Sequence, residues 1–418
     1  MRPSMKRFIT LLFAAIVIVS LIPAGAQAMP NFARRYDLPC VVCHTVIPRL
    51  NETGFKFRAA GFRMPAEIGV EEKKISNLGD VDSARLQARY DYNRVDNAGS
   101  KSTTSQLRFF EFTMYPASGS FFKNYSSLFE LSLAPEENFE IENAYVRGNW
   151  QTGAKKEGTS HFSVRGGVFH PFEGFGASDR PLLIDRPFIQ RMAAKFNQST
   201  QFTPWGFDEM GVEGGYTVGN TAIRATVFNG LDFSEEEGHA TPGQGGKTAG
   251  RPGFNDKDYQ LFVNQILSDD GGGVSLYAYK GSIALPSGGT FWRDSYTRYA
   301  LYGSYPVIKK VLLLGGYQQG TDESFANGSF GPDTKSKGYF AEVDYVPTGE
   351  LAVAARWDNF DPSDQVSNNK VSALTLGVNK PLNNGLQWIA QYQHRSTEQI
   401  SKSDRTDNTF QVRFIWIF

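Results

Sequence analysis

The chain has only two cysteines and five histidines in 418 residues, with no excess of either charge. Past residue 80 it has no apolar run long enough to cross a membrane as a helix. Each scarcity excludes something. Two cysteines, at positions 40 and 43, cannot build a disulfide framework. Lys+Arg and Asp+Glu both number 43, so no basic surplus is available to neutralise phosphates, and nucleic acid is excluded as a partner. A helical bundle in the membrane needs stretches of about 20 apolar residues. The one apolar run present, Phe8 to Ile22, is too short.

That run belongs to an export signal. Arg2, Lys6 and Arg7 precede it, and Ala26-Gln27-Ala28 follows as a small-x-small cleavage site. Residues 1–28 are read as a signal peptide, with Met29 as the mature N-terminus. The two cysteines then fall in Cys40-Val41-Val42-Cys43-His44. C-x-x-C-H is the attachment signature of a c-type haem. The spacing lets Cys40 and Cys43 reach the two vinyl groups of one porphyrin, and puts the His44 imidazole beneath the iron as proximal ligand. The expected cofactor is one covalently bound haem c. A redox disulfide is the weaker alternative, since no βαβ pattern surrounds the pair.

Residues 29–65 form the haem segment. Thr45 to Ala60 has a mild helical pattern, Pro39 can start a helix through the cysteines, and Gly61 can end the next one. The segment is too short to bury a haem and a core by itself, so it must lean on something else. It is basic, with Arg34, Arg35, Arg49, Lys56, Arg58 and Arg63 against Asp37 and Glu52. Arg34 and Arg35 are candidate partners of the haem propionates. The other reading is that these cations match an acidic wall. Met64 is the candidate distal iron ligand, with ordinary packing as its alternative. His170, His161, His394 and the mature N-terminal amine are lesser candidates.

After a linker over 66–80 the texture changes. Ten-residue segments alternate apolar and polar residues, the per-strand signature of a transmembrane β-barrel. Tyr339, Ala341, Val343 and Tyr345 alternate with Phe340, Glu342 and Asp344. The last strand sets Phe410, Val412, Phe414, Trp416 and Phe418 against Gln411 and Arg413. Strands are placed near 81–95, 105–115, 123–133, 139–150, 161–170, 207–217, 220–229, 258–268, 273–284, 295–305, 311–320, 338–346, 350–358, 371–379, 385–396 and 408–418. Short turns alternate with long polar loops at 171–206, 230–257, 321–337 and 359–370. The expected fold is all-β: an antiparallel barrel of about sixteen strands over 81–418, its lumen plugged by the short helical haem segment. Both termini fall on the periplasmic side of a Gram-negative outer membrane. The aromatic end-residue Phe418 looks like the recognition signal of outer-membrane barrels.

Pro30-Asn31-Phe32-Ala33-Arg34, the C-x-x-C-H, Pro48, Leu50-Asn51, Gly54, Phe57 and Gly61 together resemble the head of fused monohaem cytochrome–porins. Those are outer-membrane proteins of bacteria that oxidise ferrous iron. The barrel stretch Ile141-Glu142-Asn143-Ala144-Tyr145-Val146-Arg147-Gly148 also looks like ordinary anion-type porins. The resemblance implies an electron-transfer oxidoreductase of the ferrous iron:cytochrome type. Its haem would pass electrons from extracellular iron, or another redox donor, to a periplasmic c-type cytochrome or other carrier.

Two functions follow. The first is an electron conduit, with the basic head filling a lumen that carries Glu342, Asp344, Asp358 and Asp91; Glu235-Glu236-Glu237-Gly238-His239 is read first as a solvated surface loop, with cation gathering as its alternative. The second is a solute porin with a periplasmic haem head, in which loop 171–206 folds inward as a constriction. A haem peroxidase or gas sensor fits poorly, because the head offers no second histidine.

Overall fold

The computed structural model describes residues 30–70, 75, 78–134, 139–153, 160–170, 183–191, 195–196, 199–200, 208–234, 239–241, 255–287, 290–323, 325–326, 329–330, 332–382, 385–399 and 402–418. The export signal and the run Glu235 to Gly238 lie outside the described residues.

Sixteen antiparallel strands close into one barrel. They are β1 (Ser83–Asn97), β2 (Ser100–Tyr115, continued by Gly119–Ser120), β3 (Tyr125–Leu133), β4 (Glu140–Gln151) and β5 (Ser160–Phe169). Next come β6 (Glu209–Val218), β7 (Thr221–Phe228), β8 (Asp258–Ile266), β9 (Gly273–Ser287), β10 (Thr290–Ile308) and β11 (Val311–Asp322). The circle ends with β12 (Thr334–Thr348), β13 (Leu351–Asp361), β14 (Val371–Pro381), β15 (Leu386–Thr397) and β16 (Arg405–Ile417). Pairing of β16 with β1, Phe414 opposite Ala88, closes the ring, so no sheet edge is left to pair with another chain. In β12 the alternation is strict: Phe340, Glu342 and Asp344 are buried, whereas Tyr339, Val343 and Tyr345 face outward and are exposed. A side-chain period of two delivers polar residues to the lumen and apolar ones to lipid.

The N-terminal head, residues 30–65, lies in the mouth of the barrel at its short-turn end. It runs through helix α1 (Pro30–Tyr36), a 3-10 turn at Cys40–Val42, a small hairpin of His44–Val46 with Arg49–Leu50, and helix α2 (Glu52–Ala59). The helix expected through the cysteines is therefore only this 3-10 turn. The helix expected from Thr45 begins at Glu52 instead. Pro48 has no N–H for a helical bond, and Asn51 supplies the cap that starts α2. Contacts run round the rim. Asn31 Nδ2 donates to Ser118 O (3.0 Å), Thr45 Oγ1 to Asp270 O (2.9 Å), and the Glu52 amide to Asp269 O (3.0 Å). Gln387 Nε2 donates to Ile47 O (3.1 Å), and Asn149 Nδ2 to Ala59 O (3.0 Å).

A strap over residues 183–191, ending in the one-turn helix α3 (Phe188–Arg191), also enters the lumen. Leu183 and Ile184 pack with Val46 of the head and with Ala352 and Ala354 of β13. The Phe188 amide donates to Asp358 Oδ1 (3.0 Å), and Arg356 donates to the Asp185 and Arg186 carbonyls. Phe188 and Ile189 join an aromatic-rich core that also holds Phe57, Phe62, Phe169, Phe228, Phe262 and Phe340. A sixteen-strand barrel is wide enough for water. Here head, strap and inward aromatics fill much of it.

Candidate functional site

The C-x-x-C-H is shaped by Asn51. Its side-chain oxygen accepts from the Gly54 amide (3.0 Å), capping α2, while Nδ2 donates to Val42 O (3.0 Å) and its own amide donates to Cys43 O (3.0 Å). This ties the helix start directly to the cysteine turn. Gly54 then sits against that turn so closely that a Cβ would lie 2.2 Å from Cys43 O. Only glycine permits the approach. At the other end of α2, Gly61 turns the chain at φ +77°, where a Cβ would meet Asn149 and Ser126.

His44 Nδ1 lies 3.2 Å from Pro48 O. A carbonyl can only accept, so the proton sits on Nδ1 and the lone pair on Nε2. This is the usual orientation device for an iron-binding imidazole. Burial pushes the His44 pKa down to about 4, so the ring is in its neutral, ligating form. Burial, and then the adjacent Cys40, push the Cys43 thiol up. Neither trend favours the exposed, low-pKa thiolate of a redox pair.

A cavity of about 630 Å³ opens beside these groups, within the range of cofactor-sized sites. Cys40, Cys43, His44 and Met64 all line it. Phe32, Tyr36, Phe57 and Phe62 form its aromatic wall, with Phe32 stacked on Phe62 at 5.1 Å and Tyr36 edge-on to Phe57 at 5.4 Å. Leu128, Ile389 and Ile415 of the barrel and Ile184 of the strap complete the apolar lining. Two thiols, one oriented imidazole and a thioether around one apolar space form a donor set that fits a haem c.

The basic residues divide in a way the sequence did not foretell. Arg34 Nε donates to Gly79 O (2.9 Å) and its Nη2 to Asp82 O (3.0 Å), while Arg35 donates to Ser120 O. Neither lines the cavity. Arg63 binds the carbonyls of Phe122, Lys123 and Tyr125. Arg49 meets the acidic wall, at Asp344 (3.4 Å, buried). Glu342 and Asp358 are paired instead with Arg356, and Asp91 with Arg89 and Arg108. The arginines that do line the cavity are Arg58, Arg85, Arg186 and Arg413. Three of these lie on strands or the strap, far from the motif in sequence, and no local signal marks them. Of the other distal candidates, His161 faces Ala59 O (3.1 Å) and His394 faces Asn408 (2.9 Å). Neither they nor His170 line the cavity.

The fold defines a porin-like outer-membrane β-barrel. Residues 284–418 match the family described as phosphate-selective porin O and P. That match lies wholly within the barrel and does not reach the C-x-x-C-H. Among solved structures, the anion-selective porin of Comamonas acidovorans is 12% identical with a TM-score of 0.55, covering 80% of this chain and 98% of its own. The outer-membrane channel DcaP of Acinetobacter baumannii is 11% identical with a TM-score of 0.51, covering 81% and 97%. OmpF of Salmonella typhi is 10% identical with a TM-score of 0.51, covering 82% and 100%. At these identities the likeness is one of fold. No curated protein matches the sequence.

Proposed function

We propose that this barrel carries one haem c in the cavity at its short-turn end and conducts electrons between an external donor and a periplasmic carrier. The observation that supports it is the convergence of Cys40, Cys43, His44 and Met64 on one apolar cavity inside the barrel mouth. Cys40 and Cys43 would hold the porphyrin, His44 Nε2 would ligate the iron, and Met64 would be the distal ligand. Haem supplies a one-electron store whose potential responds to its ligands and burial. The protein's part is placement. A hydrocarbon layer about 30 Å thick blocks direct transfer, and a redox centre lodged in the barrel divides that distance. Phe57, Phe62 and Leu128 give the cavity an apolar wall. Arg58 and Arg413 line the cavity and would receive the propionates, the role first expected of Arg34 and Arg35. By resemblance the external donor is ferrous iron, and the short-turn end with both termini faces the periplasm.

A second reading is a solute porin with a haem head. It is favoured by the match of 284–418 to phosphate-selective porins. The aromatic filling of the lumen weighs against it. Two measurements on the purified protein separate them. The conduit reading expects a c-type absorbance band that is reduced promptly by ferrous iron, and little ion current across a planar bilayer. Large steady current with a haem inert to external donors would favour the porin.

A further inference from the structure

The lumen is not filled evenly. Facing inward across β1, β2, β15 and β16 is a lane of charged side chains that water reaches. Arg89 Nε pairs with Asp91 Oδ2 at 2.7 Å, and Arg108 reaches the same oxygen at 3.5 Å. Arg405 pairs with Asp407 at 3.0 Å, and Arg413 with Asp185 of the strap at 2.9 Å. These arginine side chains are 17–43% exposed although they point into the barrel. On the other strands, the Arg298–Asp322, Arg356–Glu342 and Arg165–Glu213 pairs are at most 3% exposed.

At its far end the lane is bounded, among the described residues, by the β1–β2 hairpin. Only Ala98 and Gly99 join β1 to β2, and residues 100–107 of β2 stand exposed on both faces. Below, it runs into the haem cavity: Arg413 and Asp185 line both, and Arg89 stacks 3.9 Å above Phe110, another cavity residue. Its charge is unequal. Two arginines share Asp91, and Arg395 adds a further inward cation beside Phe188. Among the described inward-facing residues, the lane's arginines outnumber its carboxylates.

We propose that this lane is the access route to the cavity, and that it selects a small anionic electron donor such as a metal ion held in an anionic chelate, rather than a bare cation. An excess of one sign along a cleft raises the local concentration of counter-ions, by about tenfold or more where the field is strong. The last step rests on the haem reading. With a haem held by Cys40, Cys43 and His44, a chelated ferrous ion arriving there would become ferric by giving up one electron, and the haem would supply the one-electron acceptor.

The test uses full-length protein with a single thiol in the lane, Thr409→Cys or Gln393→Cys, and a control on the packed wall, Thr226→Cys. Each is treated with sulfonatoethyl or trimethylammonioethyl methanethiosulfonate, and labelling at the new thiol is followed by mass spectrometry. The anionic reagent is expected to react about tenfold faster in the lane. That preference should collapse in an Arg89→Gln/Arg405→Gln background whose barrel remains heat-modifiable, and neither reagent should reach Thr226→Cys. Equal or faster reaction of the cationic reagent, or no reaction in the lane, would overturn the proposal. In parallel, ferrous–EDTA should reduce the haem faster than hexaammineruthenium(II), and the reverse order would also overturn it. Haem-free protein that kept the thiol preference would sink the conduit while retaining the anion lane.

Discussion

The two sides of the lumen use the same residue types to opposite ends. On the wall from β10 to β13, Arg298 and Arg356 are fully buried, Arg298 against Asp322 with the Tyr296 ring 5.3 Å from its guanidinium, and Arg356 between Glu342 and Asp358. Across β1, β2, β15 and β16, Arg89, Arg405 and Arg413 make similar pairs in water. A buried pair is a poor source of net stability, because desolvation opposes its attraction, yet it is costly to break. A hydrated pair is worth little and leaves its charge felt by passing solutes. The packed side therefore acts as structure, holding strap and head, and the hydrated side as a path.

That contrast can be tested from its strongest element downward. Arg356→Met should cost about 3–5 kcal/mol, because it strands Glu342 and Asp358 and releases the Asp185 and Arg186 carbonyls of the strap. Thermal unfolding of the detergent-solubilised barrel reads it. Phe188→Ala should cost about 3 kcal/mol for the cavity it leaves. By loosening the strap it should also raise ion current in a planar bilayer, and an unchanged current would show that the strap is not a barrier. Gly54→Ala should cost about 1–3 kcal/mol through the clash with Cys43 O. Proteolysis of the head before the barrel would locate that loss. Arg405→Gln, on the hydrated side, should change stability by less than about 1 kcal/mol. A loss as large as that of Arg356→Met would erase the distinction between the two sides.

The barrel was legible because each strand repeats a period-two pattern that survives any partner. All sixteen observed strands lie where alternation placed them. The candidate haem site was legible because Cys40, Cys43 and His44 are adjacent in sequence. The rest depends on closure of the ring. Arg413 and Arg85 reach one cavity only because β16 pairs with β1, and Asp185 joins them only because the strap folds inward. Arg34 and Arg35 looked like propionate partners from charge alone. Unpaired rim carbonyls at Gly79, Asp82 and Ser120 were the stronger attraction, and nothing in the local sequence announced them.

The most direct measurement is a redox titration of the purified, detergent-solubilised protein, with haem absorbance followed during addition of ferrous iron as its anionic EDTA chelate at near-neutral pH, beside the His44→Ala variant. A covalent c-type haem that is reduced promptly in the native chain, and that loses its normal spectrum in the variant while the barrel stays folded, is the expected result. A chain without haem, or a haem reduced by dithionite but inert to ferrous iron, would contradict iron-driven electron conduction.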